Sequence, residues 1–172
     1  MKKTFIIALF AVACSTISYG QKDPIRDFFK QYSNSPNATD LRLQGFLIRL
    51  AANAADEAPA KQLLKKINKL QLLILENGSQ PAREDLERLM KNVKADHFED
   101  LIQLSEGAEK VNLLIREKDG LINDILIFVS EKDEFLILHL ECKLRFSDLN
   151  DLDIDVDGAE HLKSLPEKRI RV

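Results

Sequence analysis

The second half of the chain alternates between apolar stretches and short polar segments, a pattern typical of antiparallel strands joined by tight turns. The predicted strands run over residues 98–104, 111–116, 121–129 and 135–144. Asp119-Gly120 lies between two of them and favours a two-residue hairpin, because such a turn requires positive φ at its central residues. Since these strands are consecutive in sequence, they predict an antiparallel meander.

The last predicted strand alternates most clearly between two sets of side chains. One face carries Leu136, Leu138, Leu140, Cys142 and Leu144. Ile137, His139 and Glu141 lie on the opposite, wetter face, which we expect to be the contact surface of the protein. Cys142 belongs to the apolar face, as expected of an unreactive buried thiol.

The first half instead repeats its apolar residues at helical spacing. Asp23 can cap a helix that begins at Pro24, because proline at the first helical position sacrifices no hydrogen bond. Further helices are predicted over 46–55, 58–66 and 79–94, with strands at 41–43 and 70–75 and a last helical turn at 147–152. This order predicts an α+β fold, with N-terminal helices packed on one face of a mainly antiparallel C-terminal sheet.

The first twenty residues have the organisation of a secretory signal. Lys2 and Lys3 precede an apolar run that is too short to span a bilayer, and Ser18 and Gly20 are small residues suited to a cleavage site. We therefore expect residues 1–20 to be a signal peptide and the mature protein to be exported, to the periplasm or the outer membrane.

An alternative processing site is Cys14, which follows the small residues Ala11-Val12-Ala13 as lipoprotein cysteines do. Only lipidation at Cys14 would attach this protein to a membrane. After the signal, residues 21–150 are predicted to form a single α+β domain, and residues 151–172 an acidic and then basic C-terminal tail.

Composition narrows the classes of function. With 45% hydrophobic and 31% charged residues, the chain is typical of a globular protein, and cleavage after Gly20 leaves Cys142 without an internal disulfide partner. The densest basic cluster alternates with leucine and isoleucine, so we interpret it as the outer side of an amphipathic helix. This cluster consists of Lys61, Lys65, Lys66 and Lys69. We expect no nucleic-acid partner.

One motif in the tail points to a metal. Asp153, Asp155 and Asp157 precede Gly158 with the spacing that opens a calcium-binding loop. Ser164 stands where the bidentate glutamate of such a loop should be, so these aspartates are only a weak calcium candidate, and a solvated acidic segment is the alternative interpretation. We expect no cofactor.

Catalytic motifs are missing from the sequence. His97, His139 and His161 are far apart and lack metal-binding spacing, while His139 and Glu141 share a strand face and are best interpreted as surface residues. There is no G-x-S-x-G elbow, glycine-rich phosphate loop or C-x-x-C pair. The sequence therefore predicts a protein that is not an enzyme.

Several segments resemble the domain of unknown function family 4252. They are residues 23–32, 111–129, 134–137 and 154–162, with Ala159 where that family usually has leucine. The resemblance implies an exported protein of Gram-negative bacteria, in some cases a lipoprotein, with this α+β pattern. It supplies no catalytic residues, and it weakens the calcium interpretation because the tail of that family elsewhere lacks these aspartates.

The export signal and the lack of a recognisable set of catalytic residues together predict a non-catalytic cell-envelope protein. We expect it to bind an unidentified envelope protein or surface component. The first alternative is a small apolar-ligand-binding protein, because a helix-covered, leucine-rich sheet can enclose an apolar cavity. A calcium-binding protein and a hydrolase with dispersed acidic residues are the remaining alternatives.

Overall fold

Five helices and six strands occupy residues 23–54 and 58–150, the part of the chain that this computed structural model describes. The helices are α1 (Pro24–Tyr32), α2 (Gly45–Ala54), α3 (Ala58–Lys65), α4 (Arg83–Ala95) and α5 (Phe146–Asn150). The strands are β1 (Ala38–Gln44), β2 (Ile67–Glu76), β3 (Glu99–Glu106), β4 (Glu109–Lys118), β5 (Leu121–Ser130) and β6 (Glu134–Leu144). All six strands pair antiparallel in one sheet, in the order β1-β2-β6-β5-β4-β3. The predicted α+β class is therefore confirmed.

Local sequence signals explain where several elements begin and turn. The Asp23 carboxylate accepts a hydrogen bond from the backbone N–H of Arg26 at 3.0 Å, and Pro24 opens α1. The predicted hairpin between β4 and β5 has φ of +57° at Asp119 and +77° at Gly120, as the tight turn requires. Both signals are confirmed.

Helix α4 begins at Arg83, four residues later than the sequence predicts. The residue that precedes a proline disfavours helical backbone, and Pro81 lies within the delayed segment. Other elements hold that segment extended: the backbone N–H of Ala82 donates to the Tyr32 hydroxyl, and the Gln80 side chain donates to the backbone carbonyl of Lys132.

Helices α1 and α4 pack on one face of the sheet, which we call the helix-covered face. Phe29 of α1 and Val93 of α4 meet Leu73, Leu126 and Ile137 of the central strands. All five side chains are at most 1% exposed. Burying a leucine or isoleucine fully contributes about 1.5–3 kcal/mol, so this cluster is the main core of the fold.

The prediction that the helices pack on one face alone needs correction, because α2 and α3 contact the opposite face. Ile48 of α2 packs with Ile67, Leu70 and Cys142 in a second apolar cluster, which extends across the sheet as far as β4. Helix α2 starts directly after β1, and Gly45 makes this turn so close to β2 that a Cβ there would lie 2.7 Å from the carbonyl oxygen of Asn68. Glycine is therefore required at this position.

Candidate functional site

The face opposite α1 and α4 carries two apolar rows that cross all six strands. The strand registers align Leu41, Leu72, Leu138, Ile127, Leu113 and Ile102 in one row. They align Thr39, Ile74, Leu136, Val129, Val111 and Leu104 in the next. We call these twelve residues the open face. Eleven of them are apolar and none is charged.

None of the open-face residues is fully buried, although eleven of the twelve are leucine, isoleucine or valine. The two edge leucines are the most exposed leucines of the set, with Leu41 at 42% and Leu104 at 38%. The next residues along the central strands, such as Leu73 and Ile137, are 0% exposed on the helix-covered face. The described helices thus cover one face of the sheet well and leave these two rows of the other face only partly covered.

Helix α2 adds exposed apolar side chains on the same side of the sheet. Phe46 is 63% exposed, Leu50 is 66% exposed and Leu47 is 39% exposed. Together with Leu41 and Leu104 of the open face, they are the large apolar side chains of the described residues that are exposed to solvent. Contiguous apolar surface of this kind marks interaction sites in soluble proteins, whereas isolated exposed leucines need no explanation.

The structure buries two of the three residues that the sequence predicts to form a contact surface. Ile137 is 0% exposed and His139 is 5% exposed, because both lie on the helix-covered face. Of the three predicted contact residues, only Glu141 reaches solvent, and its carboxylate is paired with Lys69 at 2.8 Å. Side-chain polarity on one strand does not reveal which face the helices will cover.

A polar cluster occupies one end of the helix-covered face, beside the start of α1 and the end of α4. Asp124 is 4% exposed and its carboxylate accepts hydrogen bonds from Arg116 Nε at 2.9 Å, Arg116 Nη2 at 2.7 Å and His139 Nε2 at 2.9 Å. Arg116 Nη1 also donates to Asp96 at 2.6 Å, and the guanidinium lies over the Phe98 ring. Burial disfavours the charged form of Asp124, but the hydrogen bonds from His139 and Arg116 outweigh it and hold the pKa of this carboxyl below its usual value.

This cluster borders an open cleft of about 590 Å³ that is also lined by Asp23, Asn68 and Lys143. The bond from Nε2 to Asp124 fixes the His139 ring, and the buried Nδ1 atom has no hydrogen-bond partner. An aspartate–histidine pair can orient a general base, but a base needs a nucleophile or a substrate proton within reach. No serine, threonine or cysteine side chain bonds to His139 among the described residues.

Cys142 cannot act as a nucleophile with His139, because the two side chains lie on opposite faces of β6. Its Sγ donates to the backbone carbonyl of Ile122 at 3.4 Å. Burial, with a smaller effect from the charge of Asp124, raises the pKa of the Cys142 thiol to about 12. The thiol is therefore protonated and unreactive at neutral pH, as the sequence predicts.

The remaining candidates are dispersed or lie outside the described residues. His97 is an exposed turn residue between α4 and β3, with φ of +64°. Lys69 lies in β2 rather than on the predicted amphipathic helix, and Lys66 pairs with Asp148 at 2.5 Å. Five candidate residues of the sequence analysis lie outside the described part of the chain: Cys14, Asp153, Asp155, Asp157 and His161. Within the described ranges, no group of three or more His, Cys, Asp or Glu residues is arranged to hold a metal, and no helix is long and apolar enough to cross a bilayer.

Two signals in the sequence relate to the polar cluster and to the open face. The Asp119-Gly120 turn pairs Glu117 with Ile122, and a register shift of one residue directly after that pair sets Arg116 opposite Asp124. Strand β2 is apolar at consecutive positions, Leu72 to Leu75, which is typical of a strand covered on both faces. The second signal indicates that the open face needs a cover.

A comparison with family profiles matches residues 32–152 to the family described as Domain of unknown function (DUF4252). Neither a curated protein nor a solved structure matches the chain. The matched residues include β1 to β6 and all but the first helix in full, and they make up well over half of the chain. The chain therefore belongs to the DUF4252 family.

Proposed function

We propose that this protein is an exported, non-catalytic binding module of the cell envelope and that its open face is the binding surface. One observation carries the proposal: two apolar rows cross the whole sheet opposite the helix-covered face and are not buried by the described helices. Burying apolar surface is the main favourable contribution to protein association, so this face gains most from a partner.

The charge pattern supports binding of protein rather than of nucleic acid. The open face contains no lysine or arginine, and two of the four lysines in the densest basic cluster are paired with carboxylates. Nucleic-acid sites depend on free cationic side chains that neutralise phosphates. An envelope protein with a complementary apolar surface is the partner that fits this chemistry.

The alternatives gain less support. A cleft of about 490 Å³ lies between α1 and α4, but charged side chains such as Asp27, Asp85 and Arg88 line it, which does not suit an apolar ligand. The aspartate–histidine pair is the best starting point for catalysis, but Arg116 already neutralises Asp124 and His139 has no nucleophile bonded to it.

Site-specific photo-crosslinking in the native cell tests the proposal. A photoreactive amino acid is placed at Leu104 on the open face, and at Gln103 on the helix-covered side of the same edge strand as the matched control. Both positions are exposed, so neither change is expected to disturb the fold. We expect defined adducts from position 104 and none from position 103.

If position 104 gives no adduct, or gives the same adducts as position 103, the open face is not the binding surface and the proposal fails. Fractionation of the same cells tests the export part separately, together with intact-mass analysis of the N-terminus. Protein found in the cytosol with residues 1–20 still attached would contradict it.

A further inference from the structure

We propose that the open face is covered by the open face of a second copy of this chain, so that two sheets pack against each other in a symmetric dimer. This inference rests on the proposed function, since it names the partner of the same surface. Two observations carry it: the size of the face and its lack of charge.

The size of the open face matches what a stable dimer needs. Six strands spaced about 4.8 Å apart make the face about 29 Å wide, and two rows of side chains extend about 14 Å along the strands. The footprint is therefore about 400 Å² per copy, or about 800 Å² for a pair. Phe46, Leu47 and Leu50 of α2 lie on the same side and are 39–66% exposed, which brings the total close to the ~1,200 Å² at which specific interfaces begin.

The absence of charge on the open face favours a second copy. In a symmetric interface residue i of one copy contacts residue j of the other and j contacts i, so any charge within the face would be buried twice, once in each half of the interface. The two rows hold eleven apolar residues and Thr39 at the edge, so no charge is buried when the face meets itself. A lipid surface fits less well, because no lysine or arginine lies within these rows and the chain has a formal net charge of −3.

The general geometry of sheet packing is compatible with such a dimer. Two twisted sheets pack face to face with their strands within about 30° of each other and about 10 Å apart, as in β-sandwiches. The centre of the face lies between β6 and β5, at Leu138 and Ile127. A two-fold axis in the plane of the interface brings this centre onto the same centre of the partner and leaves the edge residues Leu41 and Leu104 within the contact.

The test measures the mass of the purified full chain by sedimentation across about 1 to 100 µM, the range in which dimers of moderate affinity dissociate. The open-face variant combines Leu41→Asp with Leu104→Asp on the two edge strands. Its matched control combines Gln44→Asp with Gln103→Asp, which lie on the same edge strands, are exposed, face the other side and add the same charge.

We expect the native chain and the control variant to be dimers, and the open-face variant to dissociate at least about tenfold more readily, because each new carboxylate would be desolvated in the interface. A native chain that is monomeric at the highest concentration overturns the inference, as does a dimer that the open-face variant leaves intact. A full chain that is monomeric while a chain ending at Asn150 dimerises also overturns it, because residues 151–172 then cover the face.

These outcomes separate the inference from the proposed function. A monomer that still gives a photo-adduct from Leu104 with another protein removes the second copy as partner and leaves the binding function in place. A monomer without any such adduct removes both. An adduct at twice the mass of the chain supports both.

Discussion

Replacing Asp124 by asparagine removes a buried negative charge that three hydrogen bonds hold between Arg116 and His139. Breaking a buried ion pair by removing one partner costs about 3–5 kcal/mol when the other charge stays buried. Here the Arg116 side chain is 36% exposed and keeps Asp96 as a partner, and asparagine retains one acceptor oxygen. We therefore expect Asp124→Asn to lower the free energy of unfolding by about 1–3 kcal/mol.

The pH dependence of this loss follows from the lowered pKa of Asp124. A carboxyl whose pKa is lower in the folded state contributes stability that is fully present above the unfolded pKa of about 4. That stability is lost as the pH falls through the folded pKa. The difference between the native chain and Asp124→Asn is thus expected to be largest near neutral pH and to shrink below about pH 4.

Urea unfolding at a series of pH values measures both effects, provided that the slope with denaturant is unchanged. Asp96→Asn is the matched control, because Asp96 binds the same guanidinium but its side chain is 53% exposed, and an exposed pair contributes about 0–1 kcal/mol. The reasoning is refuted if Asp96→Asn destabilises as much as Asp124→Asn, or if the effect of Asp124→Asn is the same at every pH.

Three further changes test other parts of the structure. Gly45→Ala places a Cβ 2.7 Å from the carbonyl oxygen of Asn68, so we expect a loss of about 1–3 kcal/mol in denaturant unfolding; a neutral result would show that α2 can move away. Cys142 should not react with a thiol reagent at pH 8 until the chain is unfolded in guanidinium, and rapid labelling of the native protein would contradict its burial. Leu73→Ala should cost about 2–5 kcal/mol in the same unfolding assay, and Leu72→Ala, at its partly buried neighbour, less than half of that; equal costs would mean that both faces are buried.

Local signals predicted most elements of the fold. The Asp23-Pro24 start of α1 and the Asp119-Gly120 hairpin were recognisable because each acts through its own backbone geometry. The alternation along β6 correctly assigned which side chains share a face. The late start of α4 was not predictable from the local sequence. Hydrogen bonds to the Tyr32 hydroxyl and to the Lys132 carbonyl, both distant in sequence, hold the preceding segment extended.

The polar cluster of Arg116, Asp124 and His139 was harder to predict from the sequence. His139 sits in an alternating strand and is typical of a surface residue in its own context. Its burial depends on Asp124, fifteen residues away in sequence on the neighbouring strand, and on Arg116 beyond the hairpin. Only the strand register brings these groups together, and a one-residue change of register would send them to opposite faces.

The open face shows most clearly how sequence and structure constrain each other. A sheet with one solvated face is expected to alternate apolar and polar residues on every strand, yet β2 and β5 are apolar on both sides over Leu72–Leu75 and Ile125–Val129. The described helices bury one of those sides, and on the other they bury Ile125 but leave Leu72, Ile74, Ile127 and Val129 only partly buried, so the folding of these residues alone does not account for the apolar side chains there. In a monomer, threonine or lysine at positions such as Leu138 would suit the fold equally well and would carry less risk of association at an exposed face. A covering partner accounts for the second apolar side, and for this reason the oligomeric state is the measurement that most directly tests what this protein does.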